Sequence, residues 1–140
     1  NSMKRILLLI VLVSVLSCKQ KITEADLSNL NGYWEIEKVE LPDGDKKEYK
    51  VNETIDFFKI EANKGFRKKV MPQLDGTYLT NDIQEDVVVV VKDGDASLQY
   101  KTTYASWKEE IIELTKDKLV VKNQQEIKYY YKRPVKFSVK

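Results

Sequence analysis

The chain has 140 residues, with 24 lysines and arginines against 22 aspartates and glutamates, no histidine and one cysteine. This length predicts a single domain, and the missing histidines exclude a zinc site of the usual His/Cys kind and any Ser-His-Asp or Cys-His catalytic set. One cysteine excludes an internal disulfide, and a formal net charge of +2 is too small to indicate a nucleic-acid-binding protein.

The N-terminal residues have the pattern of an export signal. Lys4 and Arg5 precede an apolar run over residues 6–16, which is shorter than the ~20 residues that a membrane-spanning helix needs. The following Val15-Leu16-Ser17-Cys18 resembles the lipobox of bacterial lipoproteins, in which the cysteine is acylated and becomes the first mature residue. An ordinary signal peptide with a nearby cysteine is the alternative.

The lipobox resemblance implies where the protein resides. Residues 1–17 would be the signal peptide, and palmitate-type acyl chains on Cys18 would attach the protein to a membrane, since stable anchoring takes more than one chain. We expect an outer-membrane lipoprotein of the cell envelope that faces the periplasm. Because Lys4 and Arg5 carry the excess positive charge, the remaining chain is formally neutral, and its charge does not indicate a partner.

The residues after Cys18 predict a tether that ends in a short helical turn. Thr23-Glu24-Ala25-Asp26 fits the capping pattern of a helix N-terminus. Ile22, Leu27 and Leu30 would give this turn an apolar side, and Asn31-Gly32 would end it. We therefore expect residues 18–30 to be the lipidated cysteine with its tether and helical turn, and residues 31–140 to form the folded domain.

Beyond Gly32, runs of β-forming residues alternate with turns. Asp-Gly and Asn-x-Gly sequences between such runs are typical of hairpins. The runs lie at residues 33–41, 53–62, 66–71, 77–80, 87–91, 98–104, 119–122 and 127–133, with 108–114 ambiguous between strand and helix. About eight or nine strands at this regular spacing predict an all-β, antiparallel, up-and-down barrel, which leaves no exposed sheet edge; an open barrel or sandwich is the alternative.

The two ends of the barrel sequence carry a family resemblance. Gly32-Tyr33-Trp34 opens the first strand directly after the helical turn, and Arg133 stands near the end of the last. This resembles the Gly-x-Trp motif of lipocalins, and the exported chain is similar to small lipocalin-like lipoproteins of Bacteroidetes-type bacteria. The resemblance implies that Trp34 lies at the closed base of the barrel and that Arg133 covers its ring.

Aromatic residues concentrate in the last third of the chain. The candidates for lining a ligand cavity are Tyr100, Tyr104, Trp107, Tyr129 and Tyr131. Alternate residues of a strand face the same side, so Tyr129 and Tyr131 face the interior if Arg133 reaches Trp34 from inside. The alternative is that they fill the core or lie on the surface.

Charged motifs give weaker signals. Arg67-Lys68-Lys69 is interpreted as a solvated strand face, with reception of an anionic head group as the alternative. Asp43-Gly44-Asp45 and Asp93-Gly94-Asp95 lack calcium-loop spacing and predict hairpin turns. The adjacent carboxylates Glu85-Asp86 and Glu109-Glu110 would point to opposite faces of their strands, so neither pair forms an acid–base couple.

These observations together predict a lipid-anchored envelope barrel that binds a small hydrophobic or amphipathic molecule. We expect no enzymatic activity, no cofactor, no metal and no nucleic-acid partner. The alternative is an envelope protein-interaction module, such as an assembly factor or a protein inhibitor, with a filled barrel core; the sequence does not indicate its partner.

Overall fold

The computed structural model describes residues 19–135, which form a closed barrel of eight antiparallel strands. The strands are β1 (Gly32–Glu40), β2 (Lys46–Glu48), β3 (Ile55–Glu61), β4 (Lys64–Pro72), β5 (Tyr78–Leu79), β6 (Glu85–Lys92), β7 (Asp95–Lys101), β8 (Ser106–Leu114), β9 (Lys118–Asn123) and β10 (Lys128–Lys132). Barrel strands follow one another in chain order, and β10 pairs with β1 to close the ring. The short β2 and β5 pair with β1 and β4 outside the ring. The predicted up-and-down barrel is confirmed, with two additional short strands.

A short 3₁₀ helix, Glu24–Leu30, closes one end of the barrel. The Asp26 carboxylate accepts hydrogen bonds from the backbone N–H and the hydroxyl of Thr23, at 2.9 and 3.1 Å. Leu27 and Leu30 are buried against the barrel, and the Trp34 indole N–H donates to the carbonyl of Leu30 at 2.8 Å. The predicted helical turn is thus confirmed, and it forms the floor of the barrel, which is called the closed end below.

The chain that leads into this helix is bonded to the same end. The backbone N–H of Gln20 donates to the carbonyl of Ile112 at 3.2 Å, and that of Ile22 to the carbonyl of Gly94 at 2.9 Å. The Gln20 side-chain amide also bonds both the N–H and the carbonyl of Leu114, at 2.8 and 3.0 Å. These four bonds hold residues 20–22, here called the N-terminal clasp, against the β6–β7 turn and the last residues of β8.

Burial alternates along the strands as a barrel requires. In the run of five valines on β6, Val87 and Val89 are buried, while Val88 and Val90 are 37% and 40% exposed. Inward-facing residues of the other strands complete one apolar core. Its members include Trp34, Phe58, Ile60, Ala96, Leu98, Ile111, Leu114, Leu119 and Val121.

The ambiguous stretch 108–114 lies in strand β8. Its pairing with β9 shifts register between Ile111 and Glu113. This bulge puts Leu114 inside the barrel while Glu113 remains half-buried, because an extra residue reverses the faces that follow it. The bulge accounts for the lack of clean alternation in the sequence.

The expected leader and Cys18 lie outside the described residues. Within residues 19–135, no helix has the length and apolar character to cross a bilayer.

Candidate functional site

Arg133 and Trp34 meet at the closed end. The guanidinium carbon of Arg133 lies 3.6 Å from the centroid of the Trp34 ring. Arg133 also donates hydrogen bonds to three backbone carbonyls, those of Tyr33 at 3.0 Å, Asn29 at 2.7 Å and Lys116 at 2.9 Å. One side chain thereby joins the helix, β1 and the β8–β9 turn over a buried indole, which is a structural role.

Gly32 permits this close approach. Its φ is +107°, a region that L side chains rarely adopt, and a Cβ atom there would lie 3.2 Å from Nη1 of Arg133. Glycine is therefore favoured at this position by both backbone conformation and space.

Towards the opposite end of the barrel, called the mouth below, the inward-facing side chains become polar and charged. Six inward-facing side chains there form what we call the inner polar cluster: Asp56, Arg67, Glu85, Tyr100, Glu109 and Tyr131. They come from six different strands, and Asp56, Glu85 and Tyr100 lie near the mouth ends of theirs. The cluster depends on the closed barrel, because residues up to 75 positions apart in the chain face one another only there.

Arg67 is the only arginine of the cluster and makes a two-pronged ion pair. Its Nε and Nη2 donate to the two carboxylate oxygens of Glu85 at 2.6 and 2.8 Å. Its guanidinium carbon lies 4.2 Å from the centroid of the Tyr100 ring. Burial opposes the charge on Arg67, but the neighbouring Tyr100, Glu85 and Asp56 outweigh it and raise the pKa of Arg67 above its ordinary value. Arg67 therefore remains a cation.

Three deeply buried groups in the cluster have a polar atom without a hydrogen-bond partner in the described part of the chain: Tyr100 Oη, Asp56 Oδ1 and Glu109 Oε1. These residues are only 1%, 3% and 8% exposed. Asp56 Oδ1 lies 2.5 Å from Lys69 Nζ, as an ion pair without hydrogen-bond geometry. Leaving a buried polar atom unpaired costs about 1–3 kcal/mol. Because Lys69 compensates the charge of Asp56, the unused hydrogen-bonding capacity is greatest at Tyr100 Oη and Glu109 Oε1.

The titration of the cluster follows from its burial. Burial raises the pKa of Glu109, and this outweighs the opposing effects of Arg67 and of the Tyr100 hydroxyl, which lies close to the Glu109 carboxyl although the two do not meet hydrogen-bond geometry. Burial also raises the pKa of Tyr100 and that of Tyr131 well above the ordinary value. Both phenols are therefore protonated at neutral pH and keep a hydrogen to donate.

Aromatic side chains lead from the cluster to solvent. The Trp107 ring stacks on that of Tyr100 with centroids 5.4 Å apart, and the Tyr129 hydroxyl accepts a hydrogen bond from the Asn123 amide at 3.4 Å. Trp107, Tyr129 and Tyr131 are partly buried and pack against the core. The Lys69 side chain, which faces inward opposite Asp56, is 63% exposed and so marks the mouth.

Tyr104 does not line the interior, which corrects the expectation from sequence. It is 96% exposed in the β7–β8 turn. The alternation of residues 98–104 stops because β7 ends at Lys101 and the hydroxyl of Thr102 accepts hydrogen bonds from the backbone N–H groups of Tyr104 and Ala105, at 3.3 and 3.2 Å. This local turn directs Tyr104 into solvent.

Sequence reasoning missed the charged half of the interior. The interpretation of Arg67-Lys68-Lys69 as a solvated face is wrong for Arg67, whose side chain is only 12% exposed. The adjacent carboxylates do separate as predicted, with Glu85 and Glu109 inside and their neighbours on the outer face. Only the register of the folded barrel places Arg67, which stands opposite both Phe58 and Glu85 on neighbouring strands.

The outer wall over β6–β9 carries two shallow clefts of about 370 and 400 Å³. Outward-facing residues such as Val88, Val90, Lys108 and Gln124 line them. Glu109 also lines the first cleft, and Tyr100 and Trp107 also line the second, so both clefts border the inner polar cluster. Residues 19–135 contain no cluster of side chains suited to a metal ion.

Comparison with known proteins identifies the family. The model of a lipocalin-like domain matches residues 30–121. A crystal structure of a lipocalin-like protein from Bacteroides uniformis is 13% identical, covering 76% of this chain and 99% of that one, with a TM-score of 0.50. An uncharacterized protein from Bacteroides eggerthii is 17% identical over 74% of this chain and 98% of that one, with a TM-score of 0.47. No curated protein matches the chain.

Proposed function

Because the chain belongs to the lipocalin-like domain family, we propose that it binds a small amphipathic molecule in the mouth half of its barrel. The ligand's polar end lies on the inner polar cluster, and its apolar part lies against Trp107 and Tyr129. The observation that carries this proposal is the set of three buried polar atoms without partners around Arg67.

Stability alone is a poor reason to place such a cluster inside a barrel. Replacing a buried ion pair by apolar residues of similar size is often neutral or stabilising. The closed end shows that this chain can fill a barrel with apolar residues, since its core there is continuous from Leu27 to Val121. In ligand pockets, which are largely apolar, a few buried polar groups fix the orientation of the ligand. We infer this function for the cluster.

Tryptophan fluorescence tests binding directly, because the ring of Trp107, one of the two tryptophans of the chain, stacks on Tyr100 of the cluster. Titration with dodecanol, dodecylamine and dodecanoate below their micelle concentrations should change Trp107 emission, and native mass spectrometry should detect the complexes. Tyr100→Phe keeps the ring and removes the unpartnered hydroxyl, so we expect weaker binding, whereas the exposed Tyr104→Phe serves as the matched control. Absence of binding by all three amphiphiles would contradict the proposal.

We further propose that acyl chains on Cys18 hold the barrel at the outer membrane, facing the periplasm. The support is the lipobox-like Val15-Leu16-Ser17-Cys18 and the export pattern before it. Labelling with a clickable palmitate analogue and membrane fractionation test this. Cys18→Ala should lose the label and move to the soluble fraction; the same variant found tightly membrane-bound would overturn the anchor.

A further inference from the structure

We propose that the polar end of the ligand is a hydrogen-bond donor, best supplied by a protonated primary amine, and not a carboxylate. This rests on the proposed function and specifies the chemistry that the inner polar cluster selects.

The charge balance around the cluster favours a cation. Three carboxylates, those of Asp56, Glu85 and Glu109, face two cations, Arg67 and Lys69. Arg67 already directs two of its nitrogens to Glu85, and its Nη1 lies 3.9 Å from Glu109. A carboxylate ligand would add a fourth anion to this space. An ammonium group would instead balance the one carboxylate charge that Arg67 and Lys69 leave uncompensated.

The unpartnered atoms also favour a donor. Two of the three, on Asp56 and Glu109, are carboxylate oxygens, which accept hydrogen bonds and donate none when ionised. The third is the Tyr100 hydroxyl, which can both accept and donate. An ammonium group brings three N–H donors and no acceptor, and a hydroxyl brings one donor. An amine can therefore satisfy more of these oxygens than an alcohol can, and a carboxylate satisfies neither Asp56 nor Glu109.

The aromatic rings around the cluster suit the same group. Tyr100 already contacts the Arg67 guanidinium through its ring face, and Trp107 stacks behind it. Because Arg67 and Trp107 already cover Tyr100, a second cation would use the face of the partly buried Trp107 ring, provided that carboxylates compensate the charge. Glu85 and Glu109 provide that compensation here.

The test compares head groups on one alkyl chain, using the full chain. Dodecylamine should bind about tenfold or more tightly than dodecanoate, with dodecanol between them. Dodecyltrimethylammonium carries the charge without an N–H donor, so it should bind more weakly than dodecylamine. Calorimetry and Trp107 emission both report these affinities.

Variants separate the cluster from general acidity. Glu109→Gln should reduce the affinity for dodecylamine about tenfold and reduce that for dodecanol less, because the alcohol carries no charge for Glu109 to balance. The adjacent Glu110→Gln, on the outer face, is the matched control and should change neither. If Glu109→Gln fails to fold, Asp56→Asn takes its place.

The outcomes distinguish the two proposals. Dodecanoate binding as tightly as dodecylamine would overturn the donor inference and leave the proposed function intact. Equal affinity of dodecylamine and dodecyltrimethylammonium would also overturn it, since charge alone would then decide. No binding by any of the four amphiphiles would overturn the proposed function itself.

Discussion

The two ends of the barrel each hold an arginine over an aromatic ring, and the partners of the two arginines differ. Arg133 lies 3.6 Å from the Trp34 centroid and donates to three backbone carbonyls. Arg67 lies 4.2 Å from the Tyr100 centroid and donates to a carboxylate side chain. At the closed end, the backbone carbonyls bonded by Arg133 are held in place. At the mouth, the carboxylates around Arg67 keep negative charge and include oxygens without a hydrogen-bond partner. The same side-chain type thus secures the fold at one end and belongs to the proposed binding site at the other.

The largest expected effect is at the closed end. Trp34→Ala should lower the free energy of unfolding by ~3–5 kcal/mol, because Trp34 is fully buried and its removal leaves a cavity. Trp107→Ala, at the mouth, removes a side chain that is only partly buried and should cost less. Urea unfolding followed by far-ultraviolet circular dichroism measures both. A cost below about 1 kcal/mol for Trp34→Ala would contradict its place at the barrel base.

An intermediate effect is expected for Arg67. Arg67→Leu leaves the carboxylates of Glu85 and Glu109 uncompensated and should cost ~2–3 kcal/mol, less than for a fully buried pair because Arg67 and Glu85 keep 12% and 21% of their side chains exposed. The double variant Arg67→Leu/Glu85→Leu removes the pair together and should return to within about 1 kcal/mol of the parent protein. The double variant should also lose the proposed binding of amphiphiles. If the double variant had the same low free energy of unfolding as Arg67→Leu, the ion pair would be needed for stability and the prediction would be wrong.

The smallest effect is on pH dependence. The pKa of Glu109 is raised in the folded protein, so the folded state holds a proton that the unfolded state has already released. Its contribution to stability is therefore largest below the ordinary glutamate pKa and declines as pH rises through the raised pKa. Glu109→Gln should flatten this decline in urea midpoints measured across that window. An unaltered slope in Glu109→Gln would show that another group titrates.

The fold was accessible from the sequence because it depends on local patterns. Turn residues and alternation predict the strands, and the inward face of Tyr129 and Tyr131 follows from strand parity. The family resemblance supplied the contact between Trp34 and Arg133.

The inner polar cluster was not accessible in the same way. Arg67 and Glu85 are adjacent only through the register of β4 against β6, which no local pattern specifies. From sequence alone, a charged residue on a half-exposed strand is expected to face solvent. On β4 the apolar Val70 packs opposite Ile55 on the outer face, so Arg67 faces inward, but this is evident only once the strand pairing is known. Tyr104 was misplaced for the opposite reason, because local turn hydrogen bonds override the parity of the preceding strand.

The N-terminal clasp determines how the barrel can be oriented. Its backbone and side-chain bonds begin at Gln20, and Lys19 is already in an ion pair with Asp95 at 2.5 Å. Lys19, the first described residue, therefore already lies against the closed end. Acyl chains on Cys18 would therefore seat that end on the membrane surface and direct the mouth away from it. With the proposed anchor in place, an amphiphile would then reach the inner polar cluster from the aqueous compartment and not directly from the bilayer.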